Sequence, residues 1–161
     1  MLNTLITSKT RLRLLIKFFI SQANKGHLNG LANEMGESTN SIRKELNNLY
    51  DAGYINKLKK DNKIEYNVNT KHPLYETLRS IVLKHLGLED LVETVIARMG
   101  NVQKIILIGD YAEGLDSGKI EVFLIGKELN FQYISQLEEK IENNNKLNDK
   151  ISIISFYVRT Y

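Results

Sequence analysis

Between residues 39 and 63 the chain concentrates side chains suited to one kind of chemistry. Thr39, Asn40, Ser41, Lys44, Asn47 and Asn48 offer hydroxyls, amides and an ammonium of the types that read base edges, where Asn favours adenine and Lys favours guanine. Arg43, Lys57, Lys59, Lys60 and Lys63 add cations that would neutralise phosphates, fixing register without reading sequence. Other chemistries lack their residues. Cysteine is absent, which removes thiolate nucleophiles, thiolate metal sites and any disulfide framework. The histidines His27, His72 and His85 are scattered and leave little material for zinc.

The charge distribution points the same way. The net charge of +3 divides into +7 over residues 1–86 and −4 over residues 87–161. A basic half suited to a polyanion thus precedes an acidic half with a different task, although solvated surface lysines produce such an imbalance without any partner. With 161 residues and 42% hydrophobic composition, the chain can bury a core as one ordinary domain or two small ones. Its longest apolar run, Leu14–Ile20, is interrupted by Lys17 and falls short of the roughly 20 residues that span a bilayer. Ser21–Lys25 offers no small-x-small cleavage site after that run, so a cytoplasmic location away from any membrane is expected.

The elements that must position these residues follow from periodicity. Leu12, Leu15, Ile16, Phe19 and Ile20 recur at helical spacing from about Ser8, the N-cap, to Ala23, with Gly26 placed for a left-handed exit. A short helix fits 29–35, ended by Gly36, and a third runs over 39–52 with Ser38 as cap and Gly53 after it. On the third, Ile42, Leu46 and Leu49 share one face, Asn40, Lys44, Asn47 and Asp51 the other, and Arg43 and Asn48 flank the polar side. The period then changes to two at Ile64, Tyr66 and Val68, with 54–58 as partner strand and Lys59–Lys63 as a basic hairpin tip. Pro73 would open a helix ended by Gly87, and 88–99 forms another, ended by Gly100. Three apolar runs, 104–109, 120–125 and 151–158, read as central strands covered by helices on both faces. A helix over 131–142, capped by Asn130, separates the last two, followed by a loop over 143–150.

Three helices, a tight turn and a basic hairpin describe a winged helix-turn-helix. The segment Leu31-Ala32-Asn33-Glu34-Met35-Gly36 through Ser38, Ile42-Arg43-Lys44-Glu45-Leu46, Leu49 and Ala52-Gly53-Tyr54-Ile55 resembles the winged-helix transcriptional regulators of the ArsR-like group. Leu31 and Ala32 would plug the second helix into the core, Gly36 make the turn, and Gly53 release the chain into the wing. Metal-sensing members of that group use cysteine or histidine ligands, so the resemblance here is to the DNA-binding scaffold. A winged helix serving protein contacts would leave the lysines merely solvated.

The segment from Leu107-Ile108-Gly109-Asp110 through Gly114 to Lys119-Ile120-Glu121-Val122 and Ile125-Gly126 resembles the minimal nucleotidyltransferase domain. That family ends one strand in Gly-Ser and begins the next with Asp-x-Asp. The resemblance implies a nucleotide pocket at Gly109, Asp110, Gly114, Lys119 and Glu121, and two magnesium ions held by carboxylates. Aligned back from Gly126, the paired aspartates fall on Lys119 and Glu121, and the serine falls on Asp110. A lysine in the first ligand place repels a divalent cation, so no catalytic residue, metal or cofactor is expected.

The fold class expected is therefore α+β, with a winged helix-turn-helix domain over 1–71, a linker helix over 72–87 and a small α/β nucleotidyltransferase-like domain, inactive, over 88–161. The combination itself resembles a family of regulators found in Bacteroidetes-like bacteria. The expected function is duplex DNA binding in transcription regulation, with the second domain sensing a small-molecule or nucleotide effector or joining a homodimer. The helices at 74–86 and 89–99 offer a dimer surface or ordinary packing against the sheet. The alternatives are an active nucleotidyltransferase of the antitoxin type, which modifies a partner protein with a nucleotide, and an interaction scaffold.

Overall fold

In the computed structural model, which describes residues 2–144 and 153–160, the chain divides into two compact units, residues 1–82 and 83–161. The first unit runs α1 (Leu2–Leu5), α2 (Lys9–Ile20), β1 (Lys25–His27), α3 (Leu28–Met35), α4 (Thr39–Asp51), β2 (Ile55–Lys60) and β3 (Lys63–Val68), and α5 (Tyr75–His85) crosses the division. The Ser8 hydroxyl accepts from the Arg11 amide at 3.2 Å and starts α2, and Ser38 accepts from the Ser41 amide at 3.1 Å and starts α4. Leu14, Phe18, Phe19, Leu31, Ile42 and Leu46 are fully buried and make the core.

Helix α2 stops at Ile20 rather than at Ala23. The Asn24 side-chain amide donates to the Lys17 carbonyl at 2.9 Å, satisfying an end carbonyl that a longer helix would have used. Gly26 is not a left-handed exit. It lies in β1, where a Cβ would sit 2.6 Å from Leu31 Cγ, so its role is close approach. Strand β1 adds to an antiparallel sheet of order β1-β3-β2. The hairpin tip is tighter than five residues, because Lys60 pairs with Lys63 and only Asp61 and Asn62 make the turn, Asp61 at φ 53°. Pro73 sits in a turn before α5, where His72 Nδ1 accepts from the Leu74 amide at 3.1 Å.

The second unit continues with α6 (Leu88–Arg98), β4 (Asn101–Ile108), α7 (Gly109–Ala112), β5 (Lys119–Lys127), α8 (Phe131–Asn144) and β6 (Ile153–Thr160). Its sheet has the order β4-β5-β6, antiparallel between β4 and β5 and parallel between β5 and β6. The three apolar runs are not all central strands. Among the described strands of this sheet only β5 is flanked on both sides, and its burial alternates. Ile120, Val122 and Leu124 are buried, as are Ile134 and Leu137 of α8, whereas Phe123 and Ile125 on the opposite face are half-buried. An Ile/Val/Leu run in a strand does not distinguish one covered face from two.

Strand β4 starts at Asn101, three residues earlier than its apolar run, because Gly126 lets the Asn101 carbonyl approach where a Cβ would overlap it. The amide of Tyr133 donates to Asn130 Oδ1 at 3.0 Å, the cap expected for α8. That helix extends to Asn144; the expected loop beyond it over 145–150 and the strand start at 151–152 lie outside the described residues.

Candidate nucleic-acid interface

Helix α4 is seated by Ile42, Leu46 and Leu49, which are buried, and this turns Thr39, Asn40, Arg43, Lys44, Asn47 and Asn48 to the exposed side. Arg43 donates to Asn40 Oδ1 at 3.0 Å, an i,i+3 contact that orders both side chains. Ser41 is half-buried and turned towards α2, its hydroxyl 3.0 Å from that of Thr10. The Asn48 amide donates to Glu45 Oε2 at 3.3 Å.

The wing is joined to this helix by Lys57. Its ammonium donates to Asn47 Oδ1 at 3.0 Å and lies 4.2 Å from the centre of the Tyr50 ring. Strand alternation separates the other lysines. Lys57 pairs with Tyr66 and Lys59 with Ile64, whereas Lys60 pairs with Lys63, so Lys57 and Lys59 face one side of the hairpin and Lys60 and Lys63 the other. A cleft of about 550 Å³ lies among His27, Asn29, Arg43, Asn47, Lys57 and Lys63. His27 and Asn29 carry no sequence signal as site residues. The pairing of β1 with β3 brings His27 there, and His27 Nδ1 lies 2.8 Å from the Ile64 carbonyl.

The buried carboxylate behind α4 also escaped the sequence pattern. Glu45 accepts from the Ser8 hydroxyl at 2.8 Å and from Arg11 Nε at 2.8 Å. Burial raises its pKa, but the hydrogen bonds from Arg11, Ser8 and Asn48 outweigh this and hold the carboxyl below the usual range. A signal existed in principle, since Glu45 stands one helical turn from Ile42 on the apolar side of α4. Tyr66, under the cleft, has its phenol pKa raised by burial.

In the second unit, the structure brings Gly109, Lys119 and Glu121 together. A Cβ on Gly109, at φ 67°, would overlap Glu121 Oε2. Lys119 Nζ lies 3.2 Å from Glu121 Oε1, and the Tyr157 hydroxyl donates to the same oxygen at 3.2 Å. Asp110 and Gly114 belong to the turn around α7, with Gly114 at φ 82°. Tyr111 is fully buried and donates to Asp116 Oδ1 at 2.6 Å; burial, then that carboxylate, pushes its phenol pKa up. Among the described residues no three His, Asp or Glu side chains are grouped to hold a metal. No helix among them is long and apolar enough to cross a membrane.

No protein-family model matches the chain, and no curated protein matches it. Among solved structures it is similar to reduced HlyU from Vibrio cholerae, at 15% identity and a TM-score of 0.41, covering 52% of this chain and 83% of that one. It is also similar to the AntR antimony-specific transcriptional repressor, at 20% identity and a TM-score of 0.42, covering 58% and 78%. A third is the transcriptional regulator BldR from Sulfolobus solfataricus, at 17% identity and a TM-score of 0.37, covering 60% and 76%. The chain is of the mixed α+β class, and its first unit has the element order and sheet of a winged helix.

Proposed function

We propose that the chain is a DNA-binding transcriptional regulator, with α4 entering the major groove of duplex DNA and the β2–β3 wing resting on the flanking backbone. The observation that carries this reading is the Lys57–Asn47 contact, which couples a lysine-bearing hairpin to the exposed amide and cation face of α4. Lys44, Asn47, Asn40 and Asn48 then read base edges, and Arg43, Lys59, Lys60 and Lys63 contact phosphates. Thr39, exposed at the start of α4, contributes a hydroxyl beside the backbone, whereas the Ser41 hydroxyl is engaged with Thr10 of α2 and is left out of the interface. Selection of genomic fragments by the purified protein tests it, followed by affinity measurements against salt. A dimer with three or four phosphate contacts per protomer gives a log–log slope of about −5 to −7. Lys59→Ala, Lys60→Ala and Lys63→Ala together flatten the slope and weaken all sequences alike; an unchanged slope removes the wing from the mechanism.

For the second unit we propose an inactive nucleotidyltransferase-like domain that senses an anionic small molecule or nucleotide. The Lys119–Glu121 ion pair supports it: the one strand carboxylate in a would-be metal pair is already neutralised by an ammonium. Homodimerisation places two recognition helices on a symmetric operator. Val92 and Ile96, exposed one turn apart on α6, supply an apolar surface for it.

A further inference from the structure

The face of the β4-β5-β6 sheet that carries Phe123, opposite the one that carries Ile120, Val122 and Leu124, holds an ordered arrangement that the proposed DNA reading by the first unit does not use. Register places Ile106, Phe123 and Tyr157 in one row across the three strands. Ile106 is 42% and Tyr157 46% exposed, and Phe123 between them is half-buried. The next row along the strands is Lys104, Ile125 and Arg159, with the two exposed cations at its ends, two strand spacings or about 10 Å apart. On the other side of the aromatic row Glu121 is paired with Lys119 and accepts from the Tyr157 hydroxyl, which holds the Tyr157 ring in place.

We infer that this face binds single-stranded nucleic acid, with bases stacked on Tyr157 and Phe123 and the sugar-phosphate backbone running past Lys104 and Arg159. Two aromatic rings on adjacent strands of an open sheet accept unpaired bases of any sequence, and cations along one side of them fix the backbone. A base pair cannot offer its ring faces, so the surface discriminates against duplex. Charge argues against a second copy of the chain as the occupant. Among the described residues Lys104, Lys119 and Arg159 outnumber Glu121 on this face, and stacking two such faces would oppose cations, although the unit as a whole has an acidic excess. The β4 edge of the sheet is unsuited to strand addition, since β4 is bulged at Val102/Lys104.

The inference does not depend on how the wing meets duplex DNA, and its test separates the two. A fluorescein-labelled oligothymidylate of about 12 nucleotides is titrated by anisotropy into the full chain carrying Lys59→Ala, Lys60→Ala and Lys63→Ala. Tyr157→Ala in that background weakens oligonucleotide binding at least about fivefold, Tyr157→Phe retains it, and Ile106→Ser weakens it less. With the wing intact, Tyr157→Ala leaves duplex affinity unchanged. Photocrosslinking of the oligonucleotide to the unaltered protein labels peptides containing Phe123 or Tyr157, a readout that stands even if Tyr157→Ala does not fold. Binding that is lost with the wing lysines alone, crosslinks confined to residues 39–63, or equal losses in Tyr157→Ala and Tyr157→Phe would overturn the inference. So would a change of sedimentation state in Tyr157→Ala, which would assign the face to a contact between copies.

Discussion

Glu45 shows how one side chain holds α4 in register with the rest of the first unit. Its side chain is 8% exposed and receives hydrogen bonds from Ser8, the cap of α2, and from Arg11 one turn later. Both helices are therefore tied at the same carboxylate. Glu45→Gln removes the charge but keeps the shape, and is expected to cost about 1–3 kcal/mol, reduced because Arg11 is partly solvated. The folded-state pKa lies below the ordinary value of 4.5, so this stabilisation is full above that pH and fades as pH falls through the folded-state value. Urea midpoints of both proteins, taken from neutral pH down to about 3, should converge on acidification; a gap that stays constant would assign the loss to packing. The exposed side of the same helix gives the complementary expectation. Lys44→Ala or Asn47→Ala costs about 1–3 kcal/mol on the selected site and little on random DNA. Equal losses on both would mean that neither residue reads bases. Asn47→Ala also releases Lys57, so its effect on random DNA reports the wing's positioning.

At the scale of elements, legibility depended on whether the signal was local. The bounds of α3 and α4 are visible because Gly36 and Ser38 act within a turn of the residues they cap. Strand β1 was invisible, since Lys25-Gly26-His27 has no alternation and exists only through pairing with Glu65, Tyr66 and Asn67 some forty residues on. That omission hid His27 from the candidate interface. The split of the wing lysines was hidden for a related reason, because the tip length decides which lysines lie in the strands and so which side they face. In the second unit, the run of aliphatic residues in β4 reads as a central strand, yet Ile106 is exposed on an edge strand. Gly100 marks a boundary that sequence and structure share, and it carries a sharp prediction. At φ 91° it joins α6 to β4, and a Cβ would overlap the Glu128 carbonyl. Gly100→Ala combines backbone strain of about 1–3 kcal/mol with displacement of the turn before α8. Thermal unfolding followed by circular dichroism should show a clear loss of stability; a midpoint within error of the unaltered protein would show that the turn yields freely.

On the proposed reading the chain joins a basic unit that binds DNA to an acidic unit that carries the Gly109–Glu121 corner. An effector held at the corner changes transcription only if it binds the DNA-competent and DNA-incompetent states unequally, because equal affinity for both shifts neither. Transfer chemistry would need carboxylates free to clamp a divalent cation against a triphosphate, and at this corner Glu121 is occupied by Lys119 and by the Tyr157 hydroxyl. Incubating the full chain with labelled nucleoside triphosphates and magnesium is therefore expected to give no label on the protein, on nucleotide or on added acceptors. Measured in the same samples, affinity for the selected duplex is expected to change with the triphosphate, and Lys119→Ala to abolish that response while leaving basal duplex affinity intact. Label transfer that disappears in Glu121→Ala would identify an enzyme instead. An unchanged DNA affinity with every triphosphate would remove nucleotides from the effector class and leave the corner to a smaller anion.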